Sequence, residues 1–463
     1  MKVIIVGAGF SGVSTYLLLC KLLPSPGQHT ILLYEAYDSR VTAKPASPSG
    51  LVDTAVVVGN IISLEAGAVR LLRYVDEELC REFKAKSYAN EHYTFRSARG
   101  HTIAVLPAGD HGDQDPATAE CTISCPRYEA WKWLHETVGY DNIRFRRVVN
   151  VDLSGKRPVV QFADGEFEEA DLVVGADGVK SVVKKAIFGE QDATTYAPHF
   201  EGFCGVGAFV DVPELPPLVA KRKSMIFTFG PTGSFGYCSA APEARGKLSW
   251  WSNWASSDIP DANIMDAGVI REQLRGRHGT WKDPAIQKII SLSTTDRIYP
   301  VWTTPDLPYW GRSGAVLLGD AAHTLQAMSG QGANQALEDS VAFAMLLSHY
   351  MQNLDPDPDT VAMRESIELA TKALYELRGP RVARIRQAIR KIYIFKSRIN
   401  SAMIEYWWYL CLYTLLRVPL FGSLCPLSWL NKRPKVAESN PLEYVPKYLA
   451  RVGQGPLGAK TGS

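Results

Sequence analysis

Hydrophobic positions follow three patterns along this chain. In the first, short unbroken apolar runs such as residues 3–6 (VIIV), 30–34 (TILLY) and the runs ending at Gly175 and Leu318 stop at a glycine or an acid, and a helix-like stretch follows. Runs of that length without alternation predict strands buried on both faces, alternating with helices. In the second, residues 188–298 hold short aromatic runs broken by Gly and Pro: GFCGVGAFVDV, KSMIFTFGP, GSFGYCSAAP and KLSWWSNWA. These predict an antiparallel sheet whose alternate side chains reach opposite faces. In the third, Val382, Ile385, Ile389, Ile392, Ile399 and Met403 recur at helical spacing, which predicts an amphipathic helix.

The turns after the buried runs carry the candidate chemistry. The run at residues 3–6 enters Gly7-Ala8-Gly9-Phe10-Ser11-Gly12 and then an apolar helix. The first glycine permits the tight turn, the second a close approach of backbone to a pyrophosphate, and the third close helix–strand packing. A second run ends in Glu35, 23 residues after Gly12, where a carboxylate can accept from a ribose diol. Strand, glycines, helix and acid together point to a dinucleotide. Further on, a run enters Gly175-Ala176-Asp177-Gly178, and residues 317–339 read LLGDAAHTLQAMSGQGANQALED. The latter places Asp320 at a strand end and opens a new helix at a Gly-Gln-Gly break, whose positive end can stabilise an electron-rich ring. The fold class expected is α/β. A Rossmann-like three-layer FAD-binding domain (1–187 and 299–378) carries an inserted antiparallel β-sheet substrate domain (188–298), and residues 379–463 form a helical C-terminal extension.

With GAGFSG, GADG and GDAAH…GQGANQALED in this order, the chain resembles the class A flavoprotein monooxygenases of the para-hydroxybenzoate hydroxylase type over roughly residues 1–380. The resemblance implies non-covalent FAD, reduction by NAD(P)H as a transient co-substrate, and a flavin C4a-hydroperoxide that delivers one oxygen atom to an organic substrate. It implies that Gly7, Gly9, Ser11 and Gly12 form the pyrophosphate loop and that Glu35 binds the adenosine ribose. Gly59 is the backbone position near the cofactor, and Arg127 reaches the flavin side chain. Asp177 and Gly178 touch FAD, and Asp320 binds its ribityl or pyrophosphate part. Gly332 and Ala333 offer amides to the pyrimidine end of the flavin. His323 is implied as scaffold rather than base. The chain departs from the family at residues 324–329, where the usual proline near the flavin edge is missing, and at Ala66-Gly67, where Pro-Asn is usual.

The aromatic runs of the middle segment suit an apolar, planar or polycyclic substrate, and no Arg or Lys interrupts them. Tyr237 is the candidate catalytic residue, because a phenol can orient a substrate or shuttle a proton. WSNWASSDIP lacks the compact W-x-W-x-I-P of flavin-dependent halogenases. A Ser/His/Asp or Cys/His nucleophile pattern is absent, as expected where the cofactor carries the reactive atom. The expected activity is monooxygenation, by hydroxylation or epoxidation, of an apolar aromatic or polycyclic metabolite in a biosynthetic setting. A related flavin reductase or dehydrogenase without oxygen insertion stays open. So does a non-enzymatic prenyl- or lipid-binding protein of the GDP-dissociation-inhibitor type.

Composition narrows the partners. Among 463 residues, Lys plus Arg (50) nearly balances Asp plus Glu (48), which argues against a nucleic-acid partner. Eight cysteines lie scattered without metal-type spacing, and read as free thiols of a reducing compartment. The first strand begins at the third residue, leaving no room for a leader, so a cytoplasmic location is expected. Residues 377–404 hold eight basic side chains and no acidic one. The apolar stretch after them is interrupted by Pro419, Gly422 and Pro426. Residues 378–430 therefore either pack over the FAD-binding domain or a second subunit, or make peripheral membrane contact.

Overall fold

The computed structural model describes residues 1–40, 60–109, 119–242, 246–260, 265–352, 360–397, 406, 407, 410 and 440–453. Strand Lys2–Val6 lies at the centre of a six-stranded sheet, between Thr30–Glu35 and Leu172–Gly175, and is parallel to both. Ile143–Phe145 extends the sheet on one side and Ala315–Leu317 on the other, again in parallel; Gly311–Arg312 closes that edge antiparallel. Val3, Ile4, Ile5, Val173, Val174 and Val316 are inaccessible to solvent. Helices Phe10–Leu22 and Gly332–Gln352 pack together over this core. An antiparallel meander, Val148–Asp152, Val159–Phe162 and Phe167–Glu169, sets Phe162 against Tyr34 with ring centroids 4.7 Å apart. The unbroken apolar runs are thus central strands covered on both faces.

The aromatic segment forms a second sheet of seven strands, in the order Tyr299–Thr303, His199–Asp211, Lys247–Ala255, Gly233–Ser239, Ser224–Gly230, His92–Ser97 and Thr102–Pro107. Three of its strands, Tyr299–Thr303, His92–Ser97 and Thr102–Pro107, come from outside residues 188–298. His92–Ser97 pairs in parallel with Ser224–Gly230, so the sheet is mixed rather than wholly antiparallel, and the boundary at residue 188 does not enclose it. Alternation divides this sheet cleanly. Phe235, Tyr237, Trp250 and Ile226 face helices Ala267–His278 and Pro284–Leu292 and share a second hydrophobic core with Ile270, Leu274 and Ile286. Trp251, Ser249 and Phe227 lie on the other face, toward the first domain.

The division at residue 378 also shifts. Helix Thr360–Ser397 runs through Gly379 and Pro380 without ending, because the residues flanking the proline are anchored. Arg378 is fully buried. Its Nε donates to Asp339 Oδ1 at 2.8 Å, its Nη2 to Gln335 Oε1 at 2.7 Å, and its Nη1 to Glu338 Oε2. Arg381 Nε donates to Glu338 Oε2 at 2.8 Å, and Arg386 pairs with Asp306. Three of the eight basic side chains thus form ion pairs within the chain. Residues 411–430 lie outside the described residues. Among those described, no helix is long and apolar enough to cross a membrane.

Burial pushes the Asp339 carboxyl up, but His323 and Arg378 draw it down further, and it ends below the ordinary aspartate value. The stability it contributes is therefore complete above an unfolded aspartate's pKa of about 4 and is lost as pH falls through the lower folded value. Arg378→Met should cost about 3–5 kcal/mol in urea unfolding, since two carboxylates lose their buried partner. Asp339→Asn should flatten the acid limb of stability against pH, and a limb as steep as wild type would rule out this assignment.

Candidate functional site

Parallel neighbours release their following loops at one sheet edge, the usual ligand position in such sheets. Here Gly7-Ala8-Gly9, Ala176-Asp177-Gly178 and Gly319-Asp320 follow three adjacent strands. They also touch. Gly7 has φ +100°, and a Cβ there would run into the Ala176 carbonyl oxygen; a Cβ on Gly12 would run into the Gly7 oxygen. A Cβ on Gly319, φ +57°, would meet Ser11 Oγ. Ser340 Oγ donates to Ser11 O at 3.0 Å and Leu318 N to Gly175 O at 3.0 Å. Only glycine tolerates this combination of left-handed backbone and close approach. Gly9 and Gly178 differ, for nothing lies within 4 Å of where their Cβ atoms would stand.

Three carboxylates rim this edge. Glu35 Oε2 accepts from Ala8 N at 2.8 Å and Oε1 from Tyr37 N at 3.0 Å. Burial raises its pKa against the pull of those amides and of Arg147. Asp177 Oδ2 accepts from Val182 N at 2.7 Å, while its Oδ1 is buried without a partner. Burial raises the Asp177 pKa as well. Asp320 has its pKa raised by burial, opposed by the charges of Arg127, His323 and Lys184. No hydrogen bond reaches its side chain among the described residues. Its Oδ1 lies 3.9 Å from the position of a Cβ on Gly332, where helix Gly332–Gln352 begins. The first-turn amides of that helix, including Gly332 and Ala333, have no intrahelical partner.

Other residues hold these parts in place. Arg127 opens helix Arg127–Val138, and its N–H donates to Asn60 O at 3.0 Å. Gly59 lies outside the described residues, but Asn60 beside it ties the two domains. Asn60 Nδ2 donates to Trp250 O at 2.7 Å, and Ser249 Oγ donates to Asn60 Oδ1 at 2.8 Å. Asn334 accepts from Glu65 N at 2.9 Å and donates to Ser63 O at 3.2 Å, joining the helix start to strand Ile61–Leu64. His323 is buried with Nε2 2.6 Å from Asp339 Oδ2, which is a scaffold position.

Tyr237 is not brought to this site. It lies on the face covered by helices, is 1% exposed, and donates to Asp283 Oδ2 at 3.0 Å. Arg96 also pairs with Asp283. Burial first, then Asp283, raises the phenol pKa. Tyr237 is a core tyrosine with a satisfied hydroxyl, and the catalytic expectation for it is withdrawn. Two polar residues near the edge went unnoticed in the sequence, Lys184 and His135. Lys184 is 6% exposed, donates to Val179 O at 3.3 Å, and has its pKa lowered by burial against the charges of Asp177 and Asp320. Its spacing to Ile187 and Phe188 on the apolar side of its helix was the available signal.

Glycine-lined approaches, helix-start amides and carboxylates short of donors fit a ligand with phosphates and several hydroxyls, as a flavin dinucleotide has. Comparisons with known proteins agree. Residues 117–355 match the family model described as FAD binding domain. Over 359 residues the chain is 24% identical to 6-hydroxynicotinate 3-monooxygenase of Pseudomonas fluorescens, covering 75% of this chain and 82% of that protein. It is 31% identical over 257 residues to aurachin C monooxygenase/isomerase of Stigmatella aurantiaca, covering 54% of this chain and 61% of that protein. Among solved structures, Klebsiella pneumoniae HpxO complexed with FAD and uric acid has the same fold, with TM-score 0.70 and 19% identity, covering 96% of this chain and 98% of that one.

Gly7→Ala should abolish flavin binding, because the added carbon meets backbone rather than a movable side chain. Asp320→Ala should weaken it about tenfold or more, the scale of a hydrogen bond to a charged group. Flavin absorbance of the purified variants measures both, and a fully flavinated Asp320→Ala would contradict the assignment.

Proposed function

This chain belongs to the class A FAD-dependent monooxygenase family, and we propose that it uses FAD and NAD(P)H to oxygenate a neutral, planar aromatic or polycyclic substrate. The observation that carries the substrate class is the sheet face turned toward the first domain. On that face Phe95 and Phe227 stack with centroids 5.5 Å apart, and Phe95 and Phe229 with centroids 6.3 Å apart. Trp251 meets Phe227 edge-on at 5.7 Å. Its indole extends over Gly236, where a Cβ would run into the ring. Along these strands, paired positions such as Gly207, Trp251, Gly236, Phe227 and Phe95 share the face. Among the described residues that row holds no Asp, Glu, Lys, Arg or His; Asp211 and Lys247, charges of this face, stand opposite each other at its far end, with Lys247 Nζ over the Phe209 ring. The ionisable neighbours Arg96 and Asp283 pair on the opposite side. A wall of half-buried rings without a counter-ion favours flat apolar ligands and leaves a carboxylate unpaired.

In this reading the glycine-loop amides hold the pyrophosphate, Glu35 takes ribose hydroxyls, and Asp177 with Gly178 contacts the dinucleotide at the middle turn. Asp320 takes a ribityl hydroxyl and Arg127 the flavin side chain. The amides of Gly332 and Ala333, at the positive end of a long helix, stabilise negative charge on the flavin pyrimidine. FAD, held by these residues, would supply the redox chemistry by which two electrons from NAD(P)H reduce dioxygen, one oxygen atom entering the substrate and the other leaving as water. The protein's part is to orient the substrate on the aromatic wall and to exclude water.

Incubation with labelled dioxygen and a panel of polycyclic aromatics tests this. One labelled atom should enter the product, and product formed without label would leave a reductase or dehydrogenase. Neutral polycyclic compounds should accelerate NAD(P)H oxidation, whereas small aromatic carboxylates should not. Gly236→Val displaces the Trp251 indole and should raise the KM for such a substrate by up to about tenfold with flavin content unchanged.

A further inference from the structure

Helix Arg127–Val138 buries His135 completely beneath the glycine turn. His135 Nε2 is 3.0 Å from the Ala8 carbonyl oxygen, and Nδ1 is 3.1 Å from Ser39 Oγ. A carbonyl only accepts, so Nε2 carries the proton and Nδ1 accepts from the Ser39 hydroxyl. Burial holds the His135 pKa down to about 4, which keeps the ring neutral and in this tautomer near neutral pH. Ser39 is itself fixed, with its Oγ 3.0 Å from Tyr140 Oη and its carbonyl accepting from Tyr128 Oη at 2.8 Å. On the other side of the Ala8 Cα, Ala8 N donates to Glu35.

Two successive peptides of the turn are therefore pinned, one by Glu35 and the next by His135. The second peptide supplies the Gly9 N–H. A trans peptide is planar, so holding the Ala8 C=O toward His135 aims the Gly9 N–H the opposite way. Gly9 has no neighbour within 4 Å where a side chain would start. We propose that His135 is a positioning residue for the cofactor: through the Ala8 carbonyl it presets the Gly9 amide toward a phosphate of the dinucleotide. This rests on FAD as the resident cofactor. The turn alone would otherwise have to order a glycine peptide during binding, at the expense of affinity.

The test uses full-length protein stripped of flavin and titrated with FAD, reading flavin fluorescence, with thermal unfolding of the flavin-free form measured in parallel. The wild type in the same titration checks the cofactor separately. His135→Leu removes the donor at similar volume and should raise the FAD Kd about tenfold, the scale of one buried hydrogen bond. His135→Gln, whose amide can donate to the Ala8 oxygen, should return the Kd to within about threefold of wild type. An unchanged Kd in His135→Leu overturns the proposal, even with a lower melting temperature, and so does a His135→Gln Kd as weak as that of His135→Leu. Should His135→Leu fail to fold, Ser39→Ala decides. It leaves the imidazole in place without its orienting partner, a Kd rise of about threefold supports the proposal, and an unchanged Kd overturns it.

Discussion

The cofactor edge depends on one buried carboxylate. Asp339 accepts from Gly319 N at 2.9 Å, from His323 Nε2 at 2.6 Å and from Arg378 Nε at 2.8 Å. These three groups come from the left-handed glycine before Asp320, from the short helix after it, and from a distant helix. Asp339 itself sits in the helix whose first turn faces Asp320. A single side chain thus ties the strand end, the turn and the helix start to one position. Burying it unpaired would be very costly, and its low pKa reflects the partners around it. Arg378 is equally dependent on its carboxylates, so the long C-terminal helix is part of the cofactor domain's architecture. Helix Pro441–Gly453 joins the same cluster, with Tyr444 half-buried near Arg378 and its pKa raised by burial.

The site carboxylates show the opposite electrostatics. Asp177 and Asp320 have raised pKa values because burial outweighs the surrounding charges. A group whose folded pKa lies above its unfolded one costs stability when ionised, and that cost is relieved as pH falls through the folded value. Asp339 contributes stability over the same neutral range in which these two subtract from it. The difference lies in donors: Asp339 has three, while Asp177 has an orphaned oxygen and Asp320 lacks a described donor. In the function proposed above, hydroxyl groups of a bound dinucleotide would be the missing partners, and binding and folding would reinforce each other.

Much of this was legible in the sequence. The buried runs at residues 3–6 and 30–34 could only be central strands, and Gly7 and Gly12 fix the loop through sterics while Glu35 holds it through the Ala8 N–H. Family membership follows from the same three motifs. What sequence could not supply was phase. The strand holding Tyr237 alternates, but nothing local tells which face meets the first domain. That was decided by Asn60, whose side chain bonds Ser249 and the Trp250 carbonyl from another domain. Nor could local pattern reveal that His92–Ser97, besides its hairpin partner, pairs with Ser224–Gly230 more than a hundred residues on. Which of the arginines beyond residue 377 pack inward is decided by Glu338 and Asp339, distant in sequence, to which Arg378 and Arg381 bond.

Phase also explains how one sheet can serve two purposes. Its helix-covered face can hold ionised groups, because Arg96, Asp283 and Tyr237 satisfy one another and Ser252 Oγ lies 2.7 Å from His278 Nε2. The face toward the first domain has no such closed network to spare. A charge there would need a partner from the substrate, and would exclude every ligand unable to supply it. Rings and glycines avoid that restriction. Gly236 and Gly207 remove side chains so that Trp251 and Asn60 can occupy the space. Gly236 bears on the height of the aromatic wall alone, whereas a Cβ on Gly207 would meet both Asn60 and Trp251. At Gly207, wall shape and domain packing are therefore not independently adjustable: enlarging that residue also disturbs the Asn60 contact between the domains.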